Sequence, residues 1–137
     1  MIHSSYGRQH ILFDKHLLLL LFCILLFPYY FFVEDDKFIG VIHIRIRLTE
    51  GLLKYGGHIG YGINPLYWNK GYGTKLLKMG LEKAKELVKE DKILITCDDD
   101  NIGSYKIIEN NGGVLENKVT NTDAGETFIT RRYWIEK

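Results

Sequence analysis

The chain has 137 residues, 46% hydrophobic and 26% charged, the balance of one globular domain large enough for a real core. Its formal net charge of +1 argues against a nucleic-acid binder that works by bulk electrostatics. The two cysteines, Cys23 and Cys97, make no disulfide framework, no Cys/His spacing suggests zinc, and there are no internal repeats.

Residues 1–16 carry no periodicity. From Leu17 to Val33 the sequence is an unbroken apolar run with Pro28 inside it, which reaches the lower limit for a membrane span. Arg8 and Lys15 precede it as in a signal peptide, but no small-x-small cleavage site follows. With Glu34, Asp35 and Asp36 behind the run, the positive-inside tendency would put the C-terminal domain outside the cell. A simpler parse splits the run at Pro28. Tyr29 to Glu34 then pairs with Phe38 to Leu48 across the turn Asp35-Asp36-Lys37. Phe38, Ile42, Ile44, Ile46 and Leu48 fall on one face of the second strand, with His43, Arg45 and Arg47 on the other. Leu17 to Phe27 is left as a buried helix or strand.

Thr49 to Gly57 is a loop, and His58 to Ile63 a short strand ended by Asn64-Pro65. The loop Tyr67 to Thr74 leads into a helix to about Lys89, with Leu77, Leu81, Ala84 and Val88 on its apolar face. Backbone amides that open a helix make an anion site, because they lack internal partners and the helix dipole adds positive potential. Gly71 and Gly73 remove Cβ atoms where a phosphate must approach, and Lys70 and Lys75 add charge nearby. There is no Gly-x-x-x-x-Gly-Lys-Ser/Thr, which argues against a P-loop NTPase. The dinucleotide fingerprint fails because Leu76 stands where its third glycine should be.

Lys92 to Cys97 reads as a buried parallel strand, with Cys97 a small hydrophobe at its end and a reactive thiol as the minority reading. Asp100 or Asn101 caps a helix to about Asn110, and Asn111-Gly112 supplies a left-handed stop. Gly113 to Val119 and Glu126 to Glu136 are two more strands joined by the polar turn Thr120 to Gly125. Asp98-Asp99-Asp100 with Gly103 and Glu109 imitates a calcium loop, but Ile102 removes a ligand and a strand precedes it. The order means an α/β fold, a mixed sheet covered by helices.

The segment Pro65-x-Tyr67-Trp68-Asn69-Lys70-Gly71-Tyr72-Gly73-Thr74-x-Leu76-Leu77 resembles the acetyl-CoA loop of the GNAT superfamily of N-acetyltransferases, with Trp68 where Gln or Arg is commonest. Asp100-Asn101-x-x-Ser104, followed by Asn110-Asn111-Gly112-Gly113, resembles the family's second block, an Asn-x-x-Ala/Ser helix ending in glycine. The resemblance covers roughly residues 29–137. It implies a mixed, mostly antiparallel sheet with helices on both faces, lacking the usual first strand and two helices. Residues 1–27 would be an atypical apolar segment, and 28–137 the acetyl-CoA-binding domain. Truncation or rewriting, membrane association, and an unusual native element all remain open for 1–27.

The implied activity is acetyl transfer from acetyl-CoA, as co-substrate and without a metal, to a small-molecule or peptide amine by direct attack in a ternary complex. The alternative is a catalytically inactive remnant that at most binds CoA. A cytoplasmic protein is expected, with membrane contact through 17–33 disfavoured because it would put the domain away from acetyl-CoA. Implied cofactor contacts are Ile63, the loop residues Asn69, Lys70, Gly71, Tyr72, Gly73 and Thr74, then Asn101 and Ser104. A backbone N–H near Tyr61 to Ile63 would polarise the thioester. Asn101 could equally be only a helix cap. Acid and base depart from the family pattern: Thr96 stands where many relatives carry a glutamate, and Ile108 where many carry a tyrosine. Tyr61, Tyr105, His58 and His43 are the titrating groups left, each with a structural role as its alternative. Arg45, Arg47, Arg131 and Arg132 could draw in an acidic acceptor or simply line exposed strand faces.

Overall fold

The computed structural model describes residues 27–137 in full and, before them, the backbone of two strands, 12–14 and 17–24. These strands are β1 (Leu12–Asp14) and β2 (Leu17–Ile24), and β2 pairs antiparallel with β3 (Phe27–Glu34) from Leu18↔Val33 to Ile24↔Phe27. The long apolar run is thus two paired strands. The basic flank Arg8 and Lys15 lies outside the described residues. No helix among the described residues is long and apolar enough to cross a membrane, and none precedes β3.

Pro28 does not split the run as expected but lies within β3, opposite Cys23. Its other side faces no partner, because the pairing of β3 with β4 (Lys37–Ile44) starts at Tyr29↔His43, so no ladder donor is missing there. The β3–β4 loop is the two residues Asp35 and Asp36, both with positive φ, 49° and 60°. A register shift then moves the pairing from Val33↔Phe38 to Phe32↔Gly40. This inserts Ile39 and turns Phe38 off the face of Ile42, against the expected alternation. Phe38 is 46% exposed and packs on Phe31 at 6.1 Å. The ladder also stops at Ile44, leaving Ile46 and Leu48 outside the strand. Beyond it Arg45 donates to the carbonyls of Gly56 and Gly57, and one wide helical turn, Leu52–Gly56, is closed by Gly57 N–H on Leu52 O at 2.6 Å.

The remaining elements are β5 (Ile59–Ile63), α1 (Tyr72–Leu87), β6 (Lys92–Asp98), α2 (Ile102–Asn110), β7 (Val114–Asp123) and β8 (Glu126–Glu136). The sheet order is β1-β2-β3-β4-β5-β6-β8-β7, antiparallel except for β5 beside β6. The pairings gather Tyr30, Phe32, Ile42, Ile44, Ile59, Ile95, Tyr133 and Ile135 on one face, none more than 7% exposed. Leu76, Leu77, Leu81 and Ala84 of α1 and Ile108 of α2 complete this core. On the opposite face Thr96 Oγ1 donates to Tyr55 O and Arg132 to Leu53 O, which seats the helical turn 52–56 there. The expected turn Thr120 to Gly125 is shorter than read, because β7 and β8 pair as far as Asp123↔Glu126 and leave only Ala124-Gly125.

Candidate functional site

Strands β5 and β6 share one register pair, Ile59↔Ile95, and then part. Arg45 N–H bonds His58 O at 2.7 Å and Asn64 N–H bonds Ile39 O at 2.8 Å. Antiparallel backbone groups alternate sides, so Gly60 and Gly62 address β4, while Ile59, Tyr61 and Ile63 address β6. Past Ile59 no strand receives them. The Ile63 carbonyl accepts the Trp68 indole N–H at 2.8 Å, which leaves the N–H groups of Tyr61 and Ile63 and the Tyr61 carbonyl opening on the gap.

At the mouth of this gap α1 begins. Asn69 and Gly71 are left-handed, φ 57° and 82°, in the kind of turn that forms an anion-binding concavity. Nothing lies within 4 Å of a Cβ built on Gly71, so backbone conformation and not crowding favours glycine there. No side chain caps α1, its first turn carries no acid, and its first internal bond is Lys75 N–H to Gly71 O. The amides of Tyr72, Gly73 and Thr74 are therefore available to an anion. At Gly73 a Cβ would meet Ile107 Cδ1 at 2.3 Å, so the Ile107 side chain of α2 packs into the space the glycine leaves. Asn111 Nδ2 ties the helices together through the carbonyls of Thr74 (3.2 Å) and Ile107 (2.9 Å).

Gap, loop and helices enclose a cavity of about 770 Å³. Tyr61, Gly62 and Ile63 line it from β5, and Tyr67, Trp68, Asn69 and Gly71 from the loop. Gly73 and Thr74 line it from α1, while Asn101, Gly103, Ser104, Lys106, Ile107 and Asn110 close it from α2. Of the expected cofactor contacts, Ile63, Asn69, Gly71, Gly73, Thr74, Asn101 and Ser104 are brought together here. Lys70 and Tyr72 are not among the lining residues. Lys70 lies over the Tyr67 ring at 5.7 Å, and the Tyr72 hydroxyl donates to Glu34. Lys75, expected to add charge at the loop, is paired with the same Glu34 at 3.1 Å. The cation on the wall is instead Lys106. It recurs with Gly103, Ile107 and Asn110 at helical spacing, a signal that α2 has a ligand face as well as a core face.

Asn101 is a cap, its Oδ1 accepting Ser104 N–H at 3.0 Å, which leaves Nδ2 as the donor for a ligand. The Tyr61 hydroxyl reaches α2, 2.8 Å from Ser104 Oγ and 3.1 Å from Ser104 O. Burial pushes its pKa up to about 12. Tyr105, by contrast, lies under the Arg131 guanidinium at 4.0 Å, and Arg131 is also held by Asp99. Lys118 takes the same Asp99 at 2.7 Å, so the calcium-like run serves a structural network. His58 is fully buried at the closed end of the gap, its Nδ1 accepting Leu94 N–H at 2.9 Å. His43 packs against Tyr29 at 5.1 Å. Thr96 bonds Tyr55 O and Ile108 is fully buried, so neither replaces the family's acid or base. Cys97 is half-buried, and burial pushes its thiol up to about 11, which makes it a poor thiolate. Arg45, Arg131 and Arg132 are all engaged within the fold, which favours the structural alternative for them over capture of an acidic acceptor. A second cavity, of about 580 Å³, is lined by Glu90, Glu116, Trp134 and Glu136 among others and contains none of the loop residues. Its Glu116 and Glu136 are paired with Arg132 and Lys92.

The sequence profile of the acetyltransferase (GNAT) domain matches residues 20–114. The uncharacterized N-acetyltransferase YnaD of Bacillus subtilis (strain 168) is 34% identical over 79 residues, 58% of this chain and 44% of that protein. The chain thus spans less than half the length of this curated relative. Among solved structures, a spermidine/spermine N-acetyltransferase from Vibrio cholerae superposes with a TM-score of 0.65 at 16% identity, over 81% of this chain and 67% of its own. The microcin C7 self-immunity acetyltransferase MccE, solved with acetyl-CoA and AMP, gives 0.63 at 19% identity, over 82% and 62%. These two likenesses are of fold. The profile match covers more than half of the sequence, and it identifies this chain as a member of the GNAT acetyltransferase family.

Proposed function

We propose that this chain, through residues 28–137, transfers an acetyl group from acetyl-CoA to a primary amine by direct attack in a ternary complex. The observation that carries the reading is one cavity joining the uncapped start of α1 to the unpartnered edge of β5. The first suits a diphosphate and the second a peptide-like arm. CoA diphosphate would sit on the amides of Asn69 to Thr74, with Lys106 beside it, and the pantetheine arm along Tyr61 and Ile63. A backbone N–H of this edge would polarise the thioester carbonyl and hold the oxyanion. The acceptor is a small-molecule or peptide amine, and the protein works in the cytoplasm, where acetyl-CoA is available. Structural neighbours whose names give amine acceptors, the spermidine/spermine enzyme and a ribosomal L7/L12 α-N-protein acetyltransferase, support that class.

Calorimetric titration of the 137-residue chain with acetyl-CoA tests the reading. Saturable micromolar binding is expected, and a folded chain that binds nothing would sink it. Gly71→Glu puts a carboxylate into the diphosphate site and should weaken binding at least ~100-fold by charge repulsion and desolvation. Retained affinity would show that the anion sits elsewhere. Binding without any transfer to an amine would mark an inactive remnant.

A further inference from the structure

With CoA between α1, α2 and the β5 edge, the amine must reach the thioester from the other face of the sheet. Side chains alternate along a strand. Tyr61 reaches α2, so Gly60 and Gly62 on either side of it look out on the far face. The His43 ring already lies over Gly60, where its Cε1 would be 2.1 Å from a Cβ, and it packs on Tyr29 at 5.1 Å. Over Gly62 nothing would lie within 4 Å of a Cβ. The far face thus has an open slot beside the gap, walled by His43 and by Val41, the residue paired with Gly62.

Counting on from the pair Ile59↔Ile95, the residue across the gap from Gly62 is Asp98, the last of β6. Thr96 bonds Tyr55 on the far face, so Asp98, two residues on, points the same way. Its neighbour Asp99 is engaged with Arg131 and Lys118. Among the described residues the Asp98 carboxylate takes part in no hydrogen bond or ion pair. The cations around the turn 52–56 are held elsewhere: Arg45 by the Gly57 carbonyl, Arg132 by the Leu53 carbonyl and Glu116, Lys54 over the Tyr55 ring. We propose that Asp98 anchors a second, non-reacting ammonium of the acceptor, which makes the acceptor a diamine; this rests on the transferase reading above. A carboxylate holds a nearby ammonium in its charged form, which is wrong for the nitrogen that attacks and right for one that only binds. A chain of a few methylenes lying over Gly62 keeps one nitrogen in the gap, at the thioester, and the other on the surface, at Asp98. An amine with a single nitrogen leaves Asp98 without a partner.

The test uses the whole chain and compares acetyl transfer to putrescine and to n-butylamine, which share a carbon chain and differ in the second nitrogen. Wild-type KM should be at least ~5-fold lower for putrescine, as expected for one exposed ion pair, and the preference should shrink as salt is raised. Asp98→Asn should raise the putrescine KM to that of n-butylamine, whose own KM changes less than about twofold. Gly62→Val fills the slot and should raise KM for both amines at least ~10-fold while acetyl-CoA still binds by calorimetry. Equal KM for the two amines in wild-type chain overturns the assignment, and so does an Asp98→Asn effect that is the same on both. Wild-type chain that binds acetyl-CoA but acetylates neither amine also overturns it. Failure of wild-type chain to bind acetyl-CoA at all would instead sink the transferase reading.

Discussion

His58 has no exposed surface, and its ring is committed by geometry to one protonation state. Nδ1 accepts the Leu94 N–H, so the neutral ring carries its proton on Nε2, 3.3 Å from Glu90 Oε2. Burial lowers the His58 pKa and outweighs the pull of Glu90; His43 is lowered by burial and then by Arg45. The unfolded chain, with imidazoles near 6.5, binds protons that the fold refuses. Stability is therefore full above about pH 6.5 and falls as acid is added toward the folded pKa, by no more than about 1.4 kcal/mol per pH unit per imidazole. Urea unfolding between about pH 7.5 and 5.5 should show this slope. His58→Asn, whose amide oxygen can still accept from Leu94, should flatten it; an unaltered slope would clear His58 of the effect. The residue type marked His58 as a titrating group, but its partner lies 36 positions away and no local pattern reveals it. Tyr61 and Ser104, 43 positions apart, are hidden in the same way.

The elements divide by how local their causes are. Helix α1 was legible because its apolar spacing, the glycine that caps it and the proline upstream all act within one stretch, although it starts at Tyr72, inside the segment read as loop. The reach of β3 through Pro28 was not, since it depends on where the neighbouring strand stops. The outward turn of Phe38 was hidden too, because a bulge changes the side-chain period without changing composition. Turn chemistry gives a sharper case. Ala124 and Gly125 join β7 to β8 with φ of 48° and 84°, a two-residue turn that favours Asn-Gly. Alanine at positive φ is strained, so Ala124→Asn should stabilise the protein by about 1 kcal/mol, read from the urea midpoint at constant m-value. A lower midpoint would mean that the turn has another form.

Across the described residues the sheet is two blocks, β1 to β5 and β6-β8-β7, joined through Ile95, which pairs with Ile59 and bridges Gly57, and through the contacts of His58. The sequence pointed to two glycine-bearing motifs and to the chain order of the strands around them, but not to this division of the sheet. It could not show that α1 and α2 share one face, which depends on Gly73 lying against Ile107 and on the Asn111 bridge. If the cofactor arm completes the β5 edge, the Tyr61 and Ile63 amides should exchange quickly in the free protein and at least ~10-fold more slowly with acetyl-CoA bound. Hydrogen exchange resolved to those two amides checks this, and equal rates in both states would move the arm away from β5.

Leu94 hangs on His58 at both of its backbone groups, the carbonyl on the His58 N–H at 2.7 Å and the N–H on Nδ1 at 2.9 Å. In mechanical terms this is a rivet at the root of a fork. The tines, β5 and β6, part around whatever is wedged between them, and the spreading force is carried down to a side-chain bond as well as to the backbone pairing of Gly57 with Ile95. A plain ladder opens one rung at a time under such a load, whereas a root tied from two directions ends the split at a set depth.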